Sequence, residues 1–194
     1  MLDDAKVLVD GVNRIASIVE SMREMASQSR ESFQANNVYA TLITALTLSH
    51  NKAKQITKIK IQNEPFVIGV DKEKYSFIAT IQKQRIEQVW IIIINNALDA
   101  LKQIETFEER LLEISIKNEN GHIVVKIKDN GGGIPSEVLP KIFNPFESTK
   151  EEGGMGIGLN VAKRIIDDHD GKIIASNSED GAVFEVYLPK MNSL

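Results

Sequence analysis

The sequence predicts an α/β fold of the α+β kind, a two-layer sandwich of helices on a mixed, mostly antiparallel sheet, preceded by a coiled-coil-like helix. Three observations predict it. Apolar residues recur at helical spacing over 3–28, 39–55, 84–102 and 158–169, and they alternate with period two in paired runs over 111–129 and 172–188. The turn signals "ENG" at 119–121 and "EDG" at 179–181 close both pairs as hairpins. A length of 194 residues with 42% apolar and 26% charged content suits one ordinary core with a short appendage.

The elements follow in order. Over 3–28 the apolar positions Leu8, Val12, Ile15, Val19, Met22 and Ala26 are spaced four, three, four, three, four. That spacing is a coiled-coil or bundle seam, with packing on the chain's own domain as the alternative. The polar stretch "SQSRESFQANN" then reads as a connector. Tyr39, Leu42, Ile43, Leu46 and Ala53 share the inward face of a second helix. Short β-rich runs follow, "TKIKI" at 57–61, "FVIGV" at 66–70 and "YSFIATI" at 75–81, the last two joined by the charged turn "DKEK". The next helix turns Ile86, Val89, Trp90, Ile93, Ile94, Ala97 and Leu101 inward. Residues 130–157 carry glycine and proline with little periodicity, a long loop of the functional kind, and the final helix stops at Gly171.

Composition excludes several functions. With 23 Lys plus Arg against 27 Asp plus Glu, the net charge of -4 gives no strong basic field to hold nucleic acid or an anionic membrane. The absence of cysteine removes disulfides, thiolate metal sites and cysteine nucleophiles, and fits a reducing compartment. The longest apolar run, "VWIIII" at 89–94, is too short to span a bilayer, so no membrane segment is expected in this chain and a cytoplasmic location is. A membrane anchor elsewhere in a longer protein is left open.

Three polar islands interrupt the apolar pattern. In "NNALDA", Asn96 and Asp99 lie three residues apart on a helix, where an amide oxygen suits a hard cation such as Mg²⁺; the alternative is a solvated face. In "DNGGGIP", Asp129 ends a strand with glycines behind it, and a carboxylate accepts hydrogen bonds from groups such as the adenine amino group; the alternative is an ordinary turn. In "GGMGIGLN", Gly156 and Gly158 free backbone N–H groups at a helix start, where the dipole favours phosphate. No strand precedes it and no Gly-Lys-Ser/Thr follows, so it is neither a Rossmann fingerprint nor a Walker loop.

In that order, "NNALDA", "DNGGGI", "IFNPFESTK" and "GGMGIGL" resemble the N, G1, F and G2 boxes of the ATP-binding catalytic domain of two-component sensor histidine kinases, within the wider GHKL ATPase group. The resemblance covers roughly residues 37–190 and implies the Bergerat-type ATP-binding fold. It divides the chain into 1–30, where "RIASIVESMREMA" looks like the second helix of the family's dimerisation hairpin, a linker at 31–36, and the catalytic domain at 37–194. Asn96 would ligate Mg²⁺ on the phosphates, and Asp129 would bind the adenine amino group. Gly131, Gly133 and Ile134 would border the base, with Asp99 beside the metal residue. Phe143 and Phe146 would close a lid over 135–154 on which Lys150 meets the terminal phosphates. Gly154, Gly156, Gly158 and Leu159 would form the phosphate cradle. The implied partners are ATP, a response regulator receiver domain and a second copy through the N-terminal helix.

Two departures bear on that reading. Ile92 stands where the family's N box usually has a second polar residue, and it cannot activate water as the glutamate of ATP-hydrolysing relatives does. None of the three histidines has the acceptor motif. His50 is expected at the surface, His122 at a hairpin start, and His169 as a positive charge in a last helical turn. The phosphoacceptor histidine is therefore expected upstream of this chain, and no catalytic residue is assigned within it. The alternatives are a serine kinase of the anti-sigma-factor type, against which the heptad helix argues, and a degenerate nucleotide-sensing or dimerisation module, for which Ile92 argues.

Overall fold

A computed structural model describes residues 31–147 and 156–191. The expected helix over 3–28 with its heptad seam, and the site candidates Lys150 and Gly154, lie outside the described residues. The elements run β1 (Gln34–Asn37), α1 (Val38–Ala53), β2 (Lys58–Ile61), β3 (Glu64–Pro65), β4 (Ile78–Ile81), α2 (Lys83–Leu101), β5 (Leu111–Glu119), β6 (His122–Asp129), α3 (Gly158–Asp167), β7 (Lys172–Asn177) and β8 (Ala182–Pro189). Six strands form one sheet in the order β3-β2-β5-β6-β8-β7, and β1 pairs with β4 in a small second sheet. Within the large sheet β2 and β5 are parallel and the other pairs antiparallel. The fold is thus the mixed α/β sandwich that the patterning predicts.

Period-two alternation decides which face of the sheet is covered. Leu112, Ile114 and Ile116 of β5, Ile123, Val125 and Ile127 of β6, and Phe184, Val186 and Leu188 of β8 are all buried. The register sets Ile114, Ile127 and Phe184 in one row and Ile116, Val125 and Val186 in the next. Above these rows α2 is the middle helix, packed between α1 and α3. Trp90 is fully buried and donates its indole N–H to Thr41 on α1 at 2.8 Å, so the largest side chain in this interface leaves no orphaned donor. Among the described residues no helix is long and apolar enough to cross a membrane.

Three local expectations are corrected. "FVIGV" is no strand: β3 ends at Pro65, Gly69 takes a left-handed φ of 86°, and Val67 and Ile68 stand exposed on the turn. Of "YSFIATI" only Ile78–Ile81 is strand, because Asn37 takes the backbone groups before it. The Asn37 side chain accepts from the N–H groups of Tyr39 and Phe77 and donates to the Tyr75 carbonyl. Within the expected connector, residues 34–37 form strand β1 against β4.

The histidines also differ from expectation. His50 is half-buried, with Nδ1 enclosed and unpartnered. His169 is 5% exposed and uncharged rather than cationic. Its Nε2 accepts the Gln82 N–H at 3.0 Å, and its Nδ1 lies 2.7 Å from the Ile165 carbonyl, to which it must donate. Burial holds its pKa below the usual imidazole value, and the Arg85 guanidinium pushes the same way. Phe33 packs its ring 4.8 Å from the imidazole. Beside it, Glu31 accepts the Gln84 N–H at 3.0 Å, capping α2, whose own N-cap Gln82 offers no side-chain bond.

A native pKa below the unfolded value means that the unfolded chain takes up its proton first as pH falls. The contribution of His169 is therefore intact above about pH 6.5 and is lost progressively as pH drops from there through the native pKa. Thermal melts between about pH 7 and pH 5 should show Tm falling, and His169→Gln, which does not titrate, should flatten that slope.

Candidate functional site

The site is built along one face of α2. Ile92, Asn96 and Ala100 are spaced by four and so form one row along the helix. A glycine meets each end of this row. A Cβ on Gly158, at the start of α3, would stand 3.4 Å from Ile92 Cγ2, and a Cβ on Gly131 would stand 2.7 Å from the Ala100 Cβ. Asn96 lies between these two contacts, half-buried, and its side chain makes no hydrogen bond with any described residue. An amide left open between a glycine loop and a helix N-terminus is available to a ligand. Asp99, the other candidate on α2, belongs to the neighbouring row. It pairs with Lys102 at 3.0 Å and with Lys52 of α1 at 3.4 Å, and Lys52 also donates to Asn95 at 2.9 Å.

Asp129 continues the inward row Ile123, Val125, Ile127 of β6, opposite Leu112, and is 3% exposed. The alternation that buries three apolar residues therefore buries a carboxylate. Its Oδ1 accepts the Gly131 N–H at 2.9 Å and the Ala182 N–H at 3.4 Å, and no other described residue donates to Oδ2. Burial raises its pKa above the usual carboxylate value, and those N–H groups offset only part of the effect. An acceptor kept this dry, with no cationic partner among the described residues, suits a neutral donor such as an amino group.

The loop after Asp129 is shaped by backbone geometry. Gly132 and Gly133 have φ of 86° and 83°, open to glycine alone without strain, and Ile134 pairs both backbone groups with the Asn177 side chain. Across the site, Gly156 has φ 64°, and a Cβ there would fall 2.3 Å from the Glu147 carbonyl oxygen. The Phe146 N–H donates to Gly156 O at 3.0 Å, so the start of α3 is tied to residues 146–147. Leu159 is half-buried in the first turn of α3. Phe143 packs edge-on to Phe184 and anchors the loop to the sheet, whereas Phe146 stands 70% exposed. Asn160 donates to the Phe143 carbonyl at 3.0 Å. Asn96 thus lies in the α2 row, Asp129, Gly131, Gly133 and Ile134 on the segment at one end of it and Gly156, Gly158 and Leu159 on the segment at the other, while Asp99 lies on the neighbouring row of α2. Among the described residues no group of three or more His, Asp or Glu could hold a metal ion.

Sequence reasoning missed Asn177, Gly181 and Ala182. Gly181 is signalled by the turn "EDG", but its role appears only in space: a Cβ there would lie 2.0 Å from the Asp129 carbonyl oxygen.

A central helix flanked by a glycine loop and an open helix start, with a buried acceptor at the sheet end, is the organisation of a nucleotide-handling sandwich. The chain belongs to the family of histidine kinase-, DNA gyrase B- and HSP90-like ATPases, whose model matches residues 81–192. It is 39% identical to sporulation kinase C of Bacillus subtilis over 108 residues, 55% of this chain and 24% of that protein. To the C4-dicarboxylate transport sensor protein DctB of Rhizobium meliloti it is 28% identical over 181 residues, 93% of this chain and 28% of that protein. The chain thus spans about a quarter of the length of these curated relatives. Among solved structures, the catalytic domain of histidine kinase ThkA superposes with TM-score 0.65 at 29% identity, covering 81% of this chain and 95% of that one. ThkA in complex with the response regulator protein TrrA gives TM-score 0.68 at 27% identity, covering 95% of this chain and 50% of that one.

Two substitutions separate function from stability here. Asp129→Asn keeps an Oδ1 acceptor and removes a buried charge, so the ligand-free chain should melt higher at neutral pH. That gain should vanish below about pH 4, where the unfolded carboxyl is also protonated. Gly181→Ala should cost about 1–3 kcal/mol in denaturant titrations, through overlap with the Asp129 backbone.

Proposed function

We propose that this chain binds ATP with Mg²⁺ and delivers the γ-phosphoryl group to a histidine on a dimerisation helix outside these residues, in two-component signalling. A response regulator receiver domain would take the group onward. The observation that carries the reading is that one row of α2 and one end of the sheet present Asn96, an amide with no hydrogen bond among the described residues, and Asp129, a buried carboxylate with no cation among them. The kinase relatives and the ThkA–TrrA complex support the reaction class and the partner.

In this reading Asp129 accepts from the adenine amino group, and Gly131, Gly133 and Ile134 border the base. Asn96 would supply a protein oxygen to Mg²⁺, which takes its other ligands readily from phosphates and water, in keeping with the lack of an acidic cluster among the described residues. The metal would neutralise charge on the phosphates. Gly156, Gly158 and Leu159 offer N–H groups and the dipole of α3; Gly154 and Lys150, outside the described residues, would add to them as the resemblance implies. The γ-phosphorus separates from the β,γ-bridging oxygen, ADP leaves with that electron pair, and a nitrogen–phosphorus bond forms on the acceptor imidazole. The protein's part is positioning and charge neutralisation. Asp99, one turn from Asn96, is held by Lys52 and Lys102 and would act on the nucleotide only beside the metal residue. His169 is no acceptor, because both ring nitrogens are engaged. The heptad helix over 8–26 would supply the homodimer contact.

A second reading, a nucleotide-sensing module without transfer, draws on Ile92. Its methyl packs toward Gly158 where a polar group would help bind phosphate or metal. Labelled ATP, Mg²⁺ and a separate helical hairpin bearing the family's histidine decide between the readings: label on the hairpin establishes transfer, and tight ATP binding without label establishes the sensing module. By calorimetry, Asp129→Asn should weaken ATP binding by about 1.5–3 kcal/mol, the worth of a hydrogen bond to a charged group. Asn96→Ala should abolish the enhancement by Mg²⁺ and spare metal-free binding. Equal losses with and without metal would remove Asn96 from the metal site.

A further inference from the structure

We propose that Asn177 is a positioning residue that sets the shape of the loop 129–134 and thereby the preference for adenine over other bases. The inference rests on the reading of that loop as the base-binding site. Asn177 is the last residue of β7 and lies outside all four motifs. Its side chain does what a neighbouring strand would do. Oδ1 accepts the Ile134 N–H at 2.8 Å, and Nδ2 donates to the Ile134 carbonyl at 2.8 Å, so one amide satisfies both backbone groups of a residue in a loop. Gly133 is fitted against the same amide, where a Cβ would stand 3.0 Å from Asn177 Oδ1.

The same hairpin holds the loop at two further points. The Gly132 N–H donates to the Asp180 carbonyl at 3.2 Å, and Asp180 is itself fixed by Lys128 at 3.0 Å and by the Ser178 hydroxyl at 2.9 Å. Ala182, the partner of Asn177 across the β7–β8 ladder, directs its N–H to Asp129 Oδ1 at 3.4 Å. The turn between β7 and β8 thus grips residues 129, 132 and 134, the start, middle and end of the loop. Of the three contacts, that of Asn177 is made by a side chain and acts on the residue farthest from β6. Asp129 favours adenine, whose 6-amino group donates where guanine carries a carbonyl oxygen, only while the loop holds that edge of the base against it. Freeing Ile134 leaves the acceptor in place and removes the fit.

The test compares the wild-type chain with Asn177→Leu, which removes both hydrogen bonds at similar volume, and Asn177→Asp, which keeps the acceptor but sets a carboxylate against the Ile134 carbonyl. Binding of ATP and of GTP is measured by calorimetry, alongside amide hydrogen exchange at Ile134 in the ligand-free chain. The expected result is a loss of ATP affinity of about tenfold in both variants, equivalent to about 1.4 kcal/mol. GTP affinity and the Tm of the free chain should be almost unchanged, and exchange at Ile134 faster. An unchanged ratio of ATP to GTP affinity overturns the proposal, as does an equal loss for both nucleotides together with a lowered Tm, the mark of a merely structural role. Wild-type chain that fails to bind ATP defeats the nucleotide reading and the base preference with it, whereas the exchange measurement still reports whether Asn177 holds the loop.

Discussion

The constraint on which the site depends is a carboxylate placed where the sheet's alternation calls for an apolar side chain. Asp129 follows Ile123, Val125 and Ile127 on the covered face of β6, and burying it raises the free energy of its charged form. The partial remedy is two backbone N–H groups, and each imposes its own geometry. The Gly131 donor requires a loop so close to α2 that a side chain would strike Ala100, and the Ala182 donor requires a turn with no Cβ at Gly181. The glycines around Asp129 are therefore consequences of solvating one charge with backbone. A fold that keeps such a group bears a local cost in stability, the pattern expected where a residue is kept for something other than packing.

Helix α2 divides its surface accordingly. Ile86, Val89, Trp90, Ile93, Ala97 and Leu101 face the core, Ile92, Asn96 and Ala100 face the glycine segments, and Asn95 with Asp99 meets Lys52. Core packing fixes the rotation of the helix, and that rotation aims Asn96. A change in the buried row that turned α2 by part of a residue would move Asn96 off line without touching the site itself.

Much of this was legible in the sequence because it follows from periodicity and turn chemistry. The two hairpins declared themselves by alternation and Asn-Gly or Asp-Gly turns, and α2 by its apolar spacing. Asp129 was visible because it ends a strand with glycines behind it, and its burial follows from sharing parity with Ile123, Val125 and Ile127. "FVIGV" was misread because an apolar run of five looks like a strand, whereas Pro65 before it and the left-handed Gly69 within it break the pairing. "QANN" has poor β formers and gave no strand signal; its pairing with β4 is a tertiary effect. Three-residue spacing put Asp99 near Asn96, but its ion pairs with Lys52 and Lys102 depend on α1 and on the helix end and could not be read from that spacing. Asn177 was beyond reach, since its partner lies 43 residues away in a loop with no pattern.

The carboxylate of Glu31 caps a helix that begins more than fifty positions later in the chain. The helix that presents Asn96 is thus completed electrically by a residue from the segment leading into the domain. Without Glu31, the Gln84 N–H in the first turn of α2 would lose its carboxylate partner. For anyone recombining such modules, a graft that keeps the strands and helices but omits Glu31 inherits a helix α2 whose first turn has lost its cap.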